Sequence, residues 1–133
     1  MNGLKLTKLR LEGFRSFKDS YNFDFSHNII IIYGPNGTGK TSILDAIEFG
    51  LFGKIERFKG EEFTLTRDEI INVFTEKKGA QVEIWLKDND NIEYYIQRKK
   101  NIGIKKTQLI FRKLNKIYKN KNAQDEITKL LQM

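Results

Sequence analysis

The stretch Gly34-Pro35-Asn36-Gly37-Thr38-Gly39-Lys40-Thr41-Ser42 sets glycines, one lysine and hydroxyl side chains at the spacing G-x-x-x-x-G-K-[ST]. Together these residue types suit one chemistry, the holding of a phosphate chain. Phosphate needs several donors converging on one point. Glycines let the backbone approach closely and turn with positive φ, so that consecutive N–H groups face inward as an anion nest. Ile43, Leu44, Ile47 and Leu51 then predict a helix starting at the loop. That helix adds free N–H groups and the positive end of its dipole. Lys40 would bridge the terminal phosphates, and the Thr41 hydroxyl would ligate magnesium.

Such a loop works only between a buried strand and a helix, and the flanking residues supply both. Ile29-Ile30-Ile31-Ile32-Tyr33 is an apolar, mostly β-branched run that predicts a strand buried on both faces. Upstream, Leu4 to Glu12 reads as a strand whose apolar phase changes near Thr7, the mark of a bulge. Tyr21 to Phe25 alternates as a second strand, and Ser26-His27-Asn28 makes a turn that leaves His27 at the surface. Downstream, Gly53 to Gly79 is a polar connection with a short predicted helix from Asp68 to Phe74. Gln81 to Lys87 and Ile92 to Lys99 then form a hairpin around Asp88-Asn89-Asp90-Asn91, with Trp85 packed on a strand face. Thr107 to Leu114 and Ile117 to Lys119 make another pair. Asn122 caps a final helix carrying Ile127, Leu130 and Leu131. The chain is therefore read as α/β, one domain over residues 1–133, with a mixed sheet, a helix after the phosphate loop, and β-hairpins.

Composition narrows the chemistry further. The 133 residues include no cysteine and one histidine, which excludes thiolate metal sites, disulfides and cysteine nucleophiles. Apolar runs are far shorter than the roughly 20 residues that span a bilayer, and the N-terminal residues lack a secretory pattern. The expected location is cytoplasmic, without membrane association. The net charge of +7 is local. Residues 98 to 121 hold ten Lys or Arg and no acid, which leaves the rest of the chain at −3. A concentrated patch of this kind attracts polyanions, so DNA is a candidate partner, set against a plain solvated face.

The loop Pro35 to Ser42, the run Ile43-Leu44-Asp45-Ala46-Ile47 and the upstream Phe14-Arg15-Ser16-Phe17 resemble the N-terminal ATPase segment of the SMC, SbcC and RecF group of ABC-type ATPases. These act in DNA repair and chromosome maintenance. The resemblance implies a P-loop NTPase fold, the N-terminal half of an ABC-type head, with ATP and Mg2+ as cofactors. It assigns phosphate binding to Asn36, Gly37, Thr38, Gly39, Lys40, Thr41 and Ser42, with Lys40 catalytic and Thr41 on the metal. It assigns a further phosphate contact to Arg15, and it places Thr64, Leu65 and Thr66 near the nucleoside. Phe14 and Phe17 are read as core residues.

Heads of this group also use a Walker B Asp-Glu, a Gln loop, a signature motif and usually a switch histidine. The sequence contains no match to them, and Gln132 lies too close to the last helix to serve as the Gln loop. The chain is therefore expected to be half of an active site: a truncated piece, one product of a split gene, or a degenerate relative. Hydrolysis would need a C-terminal ATPase segment or partner chain, followed by ATP-dependent dimerisation of completed heads. The alternative is a non-catalytic nucleic-acid-binding or scaffold module that retains the loop. A small phosphotransferase fits less well, because no arginine-rich lid or acceptor-binding carboxylate motif follows.

Overall fold

The computed structural model describes residues 3–15, 17–25, 40–54, 71, 79–104 and 106–132. The expected strand Ile29 to Tyr33, the turn at His27, the loop Gly34 to Gly39 and residues Thr64 to Thr66 lie outside them. Among the described residues, six strands pair antiparallel in one sheet, in the order β2-β1-β3-β4-β5-β6. They are β1 (Lys5–Glu12), β2 (Tyr21–Asp24), β3 (Gly79–Lys87), β4 (Glu93–Asn101), β5 (Gln108–Lys113) and β6 (Lys116–Lys119). The helices are α1 (Lys40–Phe52) and α2 (Asn120–Leu131).

Period-two alternation decides the two faces. Leu9 and Leu11 of β1, Val82 and Ile84 of β3, Ile96 of β4 and Phe111 of β5 are all fully or almost fully buried. They share that inner face with Ala46 and Phe49 of α1 and Ala123 and Ile127 of α2. Each large side chain so buried stabilises the fold by roughly 1.5–3 kcal/mol. The bulge in β1 falls where the apolar phase changes, with the β1–β3 register shifting between Leu6 and Lys8. Thr7 fills the gap: its hydroxyl donates to Trp85 O at 3.1 Å, and its carbonyl accepts from Phe25 N–H at 2.9 Å.

In the β3–β4 hairpin, Ile84 faces Ile96 and Trp85 faces Tyr95. Asp88 closes the turn by accepting from the N–H groups of Asp90 and Ile92 at 2.9 and 3.0 Å, and Tyr94 Oη donates to its other oxygen at 2.8 Å. That phenol contact, more than the two amides, holds the Asp88 carboxyl below its ordinary value. Across the outer face Lys8 lies 4.8 Å from the Trp85 ring centroid, Trp85 lies 5.2 Å from Tyr95, and Arg112 sits 4.6 Å over Tyr95. Tyr95 Oη donates to Glu83 Oε2 at 2.8 Å.

Burial first, and the neighbouring carboxylate second, push both Tyr94 and Tyr95 above the ordinary phenol value of 10.0. A raised native pKa contributes stability that is complete below the unfolded pKa and is lost as pH climbs through the native one. Alkaline unfolding should therefore steepen above about pH 10. Phenolate absorbance followed against pH checks this, and Tyr95→Phe should move the transition to higher pH.

Two expectations need correction. The last helix starts at Asn120, so Asn122 lies inside it and Lys119 is the N-cap, without a side-chain cap bond. Asn120 adopts φ 54, a left-handed geometry that asparagine tolerates, and its Oδ1 accepts from Leu109 N–H at 3.2 Å. It is thus tied to β5 while the chain turns from strand into helix without a loop. On α1, Leu44 is 62% exposed, because the sheet receives Ile43, Ala46, Phe49 and Gly50 instead. Gly50 is required at that crossing: a Cβ there would collide with Ile84 Cδ1 and lie 3.1 Å from Val82 Cγ1. Finally, Ile71, expected within a short helix, forms an isolated antiparallel bridge with Phe14; the rest of that segment lies outside the described residues.

Candidate functional site

The site is built around the start of α1. This helix runs for 13 residues, and its first turn carries no acid to oppose the positive end of the dipole. Lys40, Thr41 and Ser42 begin that first turn. The donor end of the helix therefore carries no acid in its first turn that would oppose an anion.

Arg15 reaches α1 from β1. A tight turn follows Glu12, closed by Gly13 N–H donating to Lys18 O at 3.2 Å and Phe17 N–H to Phe14 O at 2.8 Å. Arg15 sits at its tip with φ 48. For a non-glycine residue that geometry costs on the order of 1–3 kcal/mol, and it persists only where the surroundings enforce it. The enforcement is visible next door. Phe14 is fully buried, bridges Ile71, and packs 5.7 Å from the Phe49 ring of α1. Arg15 Nε lies 3.7 Å from Asp45 Oδ2, with the Asp45 side chain 5% exposed and that of Arg15 28%. Arg15 is therefore drawn to the early part of α1 while keeping surface open to solvent. The Phe14 and Phe17 core readings hold, Phe17 being partly buried. Asp45, to which the sequence alone assigns no role, is the residue that recruits Arg15. Its one signal is an acid set among the apolar residues Ile43, Leu44, Ala46 and Ile47.

Of the expected binding residues, Lys40, Thr41 and Ser42 open α1, and Arg15, in the turn after β1, pairs with Asp45 of that helix. Asn36, Gly37, Thr38, Gly39, Thr64, Leu65 and Thr66 lie outside the described residues.

The basic stretch is not one surface. Arg98 and Lys100 follow Tyr94 and Ile96 on the inward phase of β4 and are 4% and 0% exposed. Lys106, Arg112, Lys116, Lys119 and Lys121 are exposed. Lys113 faces Lys116 across β5 and β6, whereas Lys119 opposes Ile110 on the other phase.

Comparison with known proteins bears on the family and the fold. Residues 8–133 match the model of a family described as the AAA domain. The chromosome partition protein Smc of Mesomycoplasma hyorhinis is 35% identical over 95 residues, covering 68% of this chain and 9% of that protein. One subunit of the SbcCD nuclease of Bacillus subtilis is 30% identical over 99 residues, covering 71% of this chain and 8% of that one. Among solved structures, one from work on ATP-driven dimerization and DNA-stimulated activation of SMC ATPases superposes with a TM-score of 0.69 at 24% identity, over 95% of this chain and 76% of that one. The chain spans about a tenth of the length of these two curated relatives.

The fold is thus that of a P-loop NTPase, α/β in class. The chain belongs to the AAA domain family and is an ATPase segment of the SMC, SbcC and RecF type. Among the described residues, no helix is long and apolar enough to cross a membrane.

Proposed function

We propose that this chain binds ATP with Mg2+ as the N-terminal half of an SMC/SbcC/RecF-like ATPase head that serves DNA repair or maintenance. The observation that carries the reading is the strained Arg15, held by Asp45 against the helix that follows the G-x-x-x-x-G-K-[ST] loop. Asn36 to Ser42 hold the phosphate chain, Lys40 neutralises its terminal oxygens, Thr41 orders the metal, and Arg15 closes the site. Thr64, Leu65 and Thr66 flank the nucleoside. Bound ATP and magnesium supply the reactive phosphoryl group and its charge neutralisation. Residues 1–133 act as one lobe, and the acids needed for hydrolysis come from a C-terminal segment, in a dimer of completed heads. Arg15→Ala should weaken ATP binding without unfolding the chain, since the buried Phe14 anchors the turn from the neighbouring position. Calorimetric titration of both proteins with ATP and magnesium tests this, and equal affinities would remove Arg15 from the site.

The surface lysines support DNA as a partner of the same head. Phosphate contacts would be insensitive to sequence and steeply weakened by salt. Replacing Lys113 and Lys116 by glutamine should flatten the log-affinity against log-salt slope by up to about 1.8 units, at roughly 0.9 per neutralised phosphate. Duplex titrations at several salt concentrations read this out. An unchanged slope would return these lysines to a solvated face.

A further inference from the structure

The far end of α1 is closed from outside the helix. The last carbonyls of any helix lack intrahelical donors. Gly53, at φ 73, turns the chain and donates its N–H to Phe49 O at 2.8 Å. Gly50 O accepts from Arg98 Nε at 3.2 Å, and Leu51 O accepts from Gln124 Nε2 at 3.1 Å. Arg98 Nη2 donates in turn to Gln124 Oε1. One chain of hydrogen bonds thus joins α1, β4 and α2.

This arrangement is costly for a merely structural plug. Arg98 is 4% exposed, with its guanidinium 5.9 Å over the Phe49 ring, and burial pushes its pKa down to about 10. An apolar side chain continuing Tyr94 and Ile96 would fill the space without desolvating a charge. What an apolar residue cannot do is bond α1 and α2 together. The planar guanidinium reaches two acceptors at once, which a lysine ammonium does less well. Gln124 is equally specific, since its amide accepts from Arg98 while donating to Leu51. Gly53 leaves the room: a Cβ there would stand 2.9 Å from Arg98 Nη1.

We propose that Arg98 and Gln124 are positioning residues that couple α2 to α1, so that displacement of α2 is felt at the nucleotide end of α1. The proposal rests on the reading of that end as the phosphate site. Helix α1 is a rigid rod about 20 Å long, lying on close-packed β3 and β4, so a shift imposed at one end moves the other. Coupling of this kind is reciprocal: nucleotide binding must in turn restrain α2.

The test uses the full chain with two variants at Gln124, because Arg98→Met removes a core-filling side chain as well. Gln124→Leu loses both arms of the joint. Gln124→Glu keeps an acceptor for Arg98 but loses the donor to Leu51. In the parent chain, ATP with magnesium should slow hydrogen exchange across Ala123 to Leu131. Gln124→Leu should abolish that protection and weaken ATP affinity by about fivefold or more, with Gln124→Glu in between. A lower melting temperature with unchanged affinity and unchanged nucleotide-dependent protection would overturn the coupling. If the parent chain binds no nucleotide, the phosphate-site reading fails separately. The joint is then judged on the nucleotide-free chain: exchange at Phe49 to Gly53 must rise in Gln124→Leu, and unchanged exchange there also overturns it.

Discussion

Replacing Lys40 by alanine is expected to weaken ATP–Mg2+ binding by at least about tenfold, because a charge-assisted contact to phosphate contributes on the order of 1.5–3 kcal/mol. Lys40 opens α1, at the positive end of a helix dipole that no acid in the first turn opposes. The fold should survive the change, since alanine is the best helix former and the α1 residues that meet the sheet, Ile43, Ala46 and Phe49, are untouched. Isothermal titration of both proteins, with a thermal melt as control, decides the matter. Equal affinities would favour the alternative reading, a nucleic-acid-binding or scaffold module in which the loop has lost its ligand.

Binding and turnover should separate. The chain by itself is expected to hydrolyse ATP no faster than a buffer blank, because no carboxylate is identifiable in the sequence as the base that orients water. Supplying a C-terminal segment with Walker B and signature motifs should restore turnover and raise the melting temperature together. On α1, Leu44 and Phe52 are 62% and 49% exposed and would be available to such a lobe. Covering them stabilises by roughly 25 cal/mol for each Å² of apolar area removed from water. A phosphate-release assay on the purified chain, with Lys40→Ala as control, provides the check. Lys40-dependent turnover by the chain alone would refute the half-site reading.

Most of the sheet is legible in the sequence because strands of this kind advertise their inner face. Val82, Ile84 and Leu86 and then Tyr94 and Ile96 alternate around a turn that Asp88 closes with its own side chain, and the bulge at Thr7 shows as a change of phase. The cap of α2 lies three residues before the expected one: Asn122 has the right residue type for a cap, but Lys119 holds that position, and Asn120, tied to Leu109 of β5, is the first helical residue. Leu44 faces away from the sheet because a helix apolar on several sides does not say which side a sheet will take.

Local order therefore determined the element types, the G-x-x-x-x-G-K-[ST] spacing and the family to which the chain belongs, since each depends on residues close together in sequence. Partnership across the fold was decided only in three dimensions. Arg98 and Lys100 belong to an unbroken basic run, yet strand alternation sends them into the core, where Arg98 meets α1 and α2. Arg15 is singled out in the sequence only by resemblance, and its pairing with Asp45, 30 positions away, exists only in the fold. The physical reason is the same in both cases. A charged side chain carries no mark in the sequence of which groups will compensate its burial, and those groups come together only when the sheet and helices have packed.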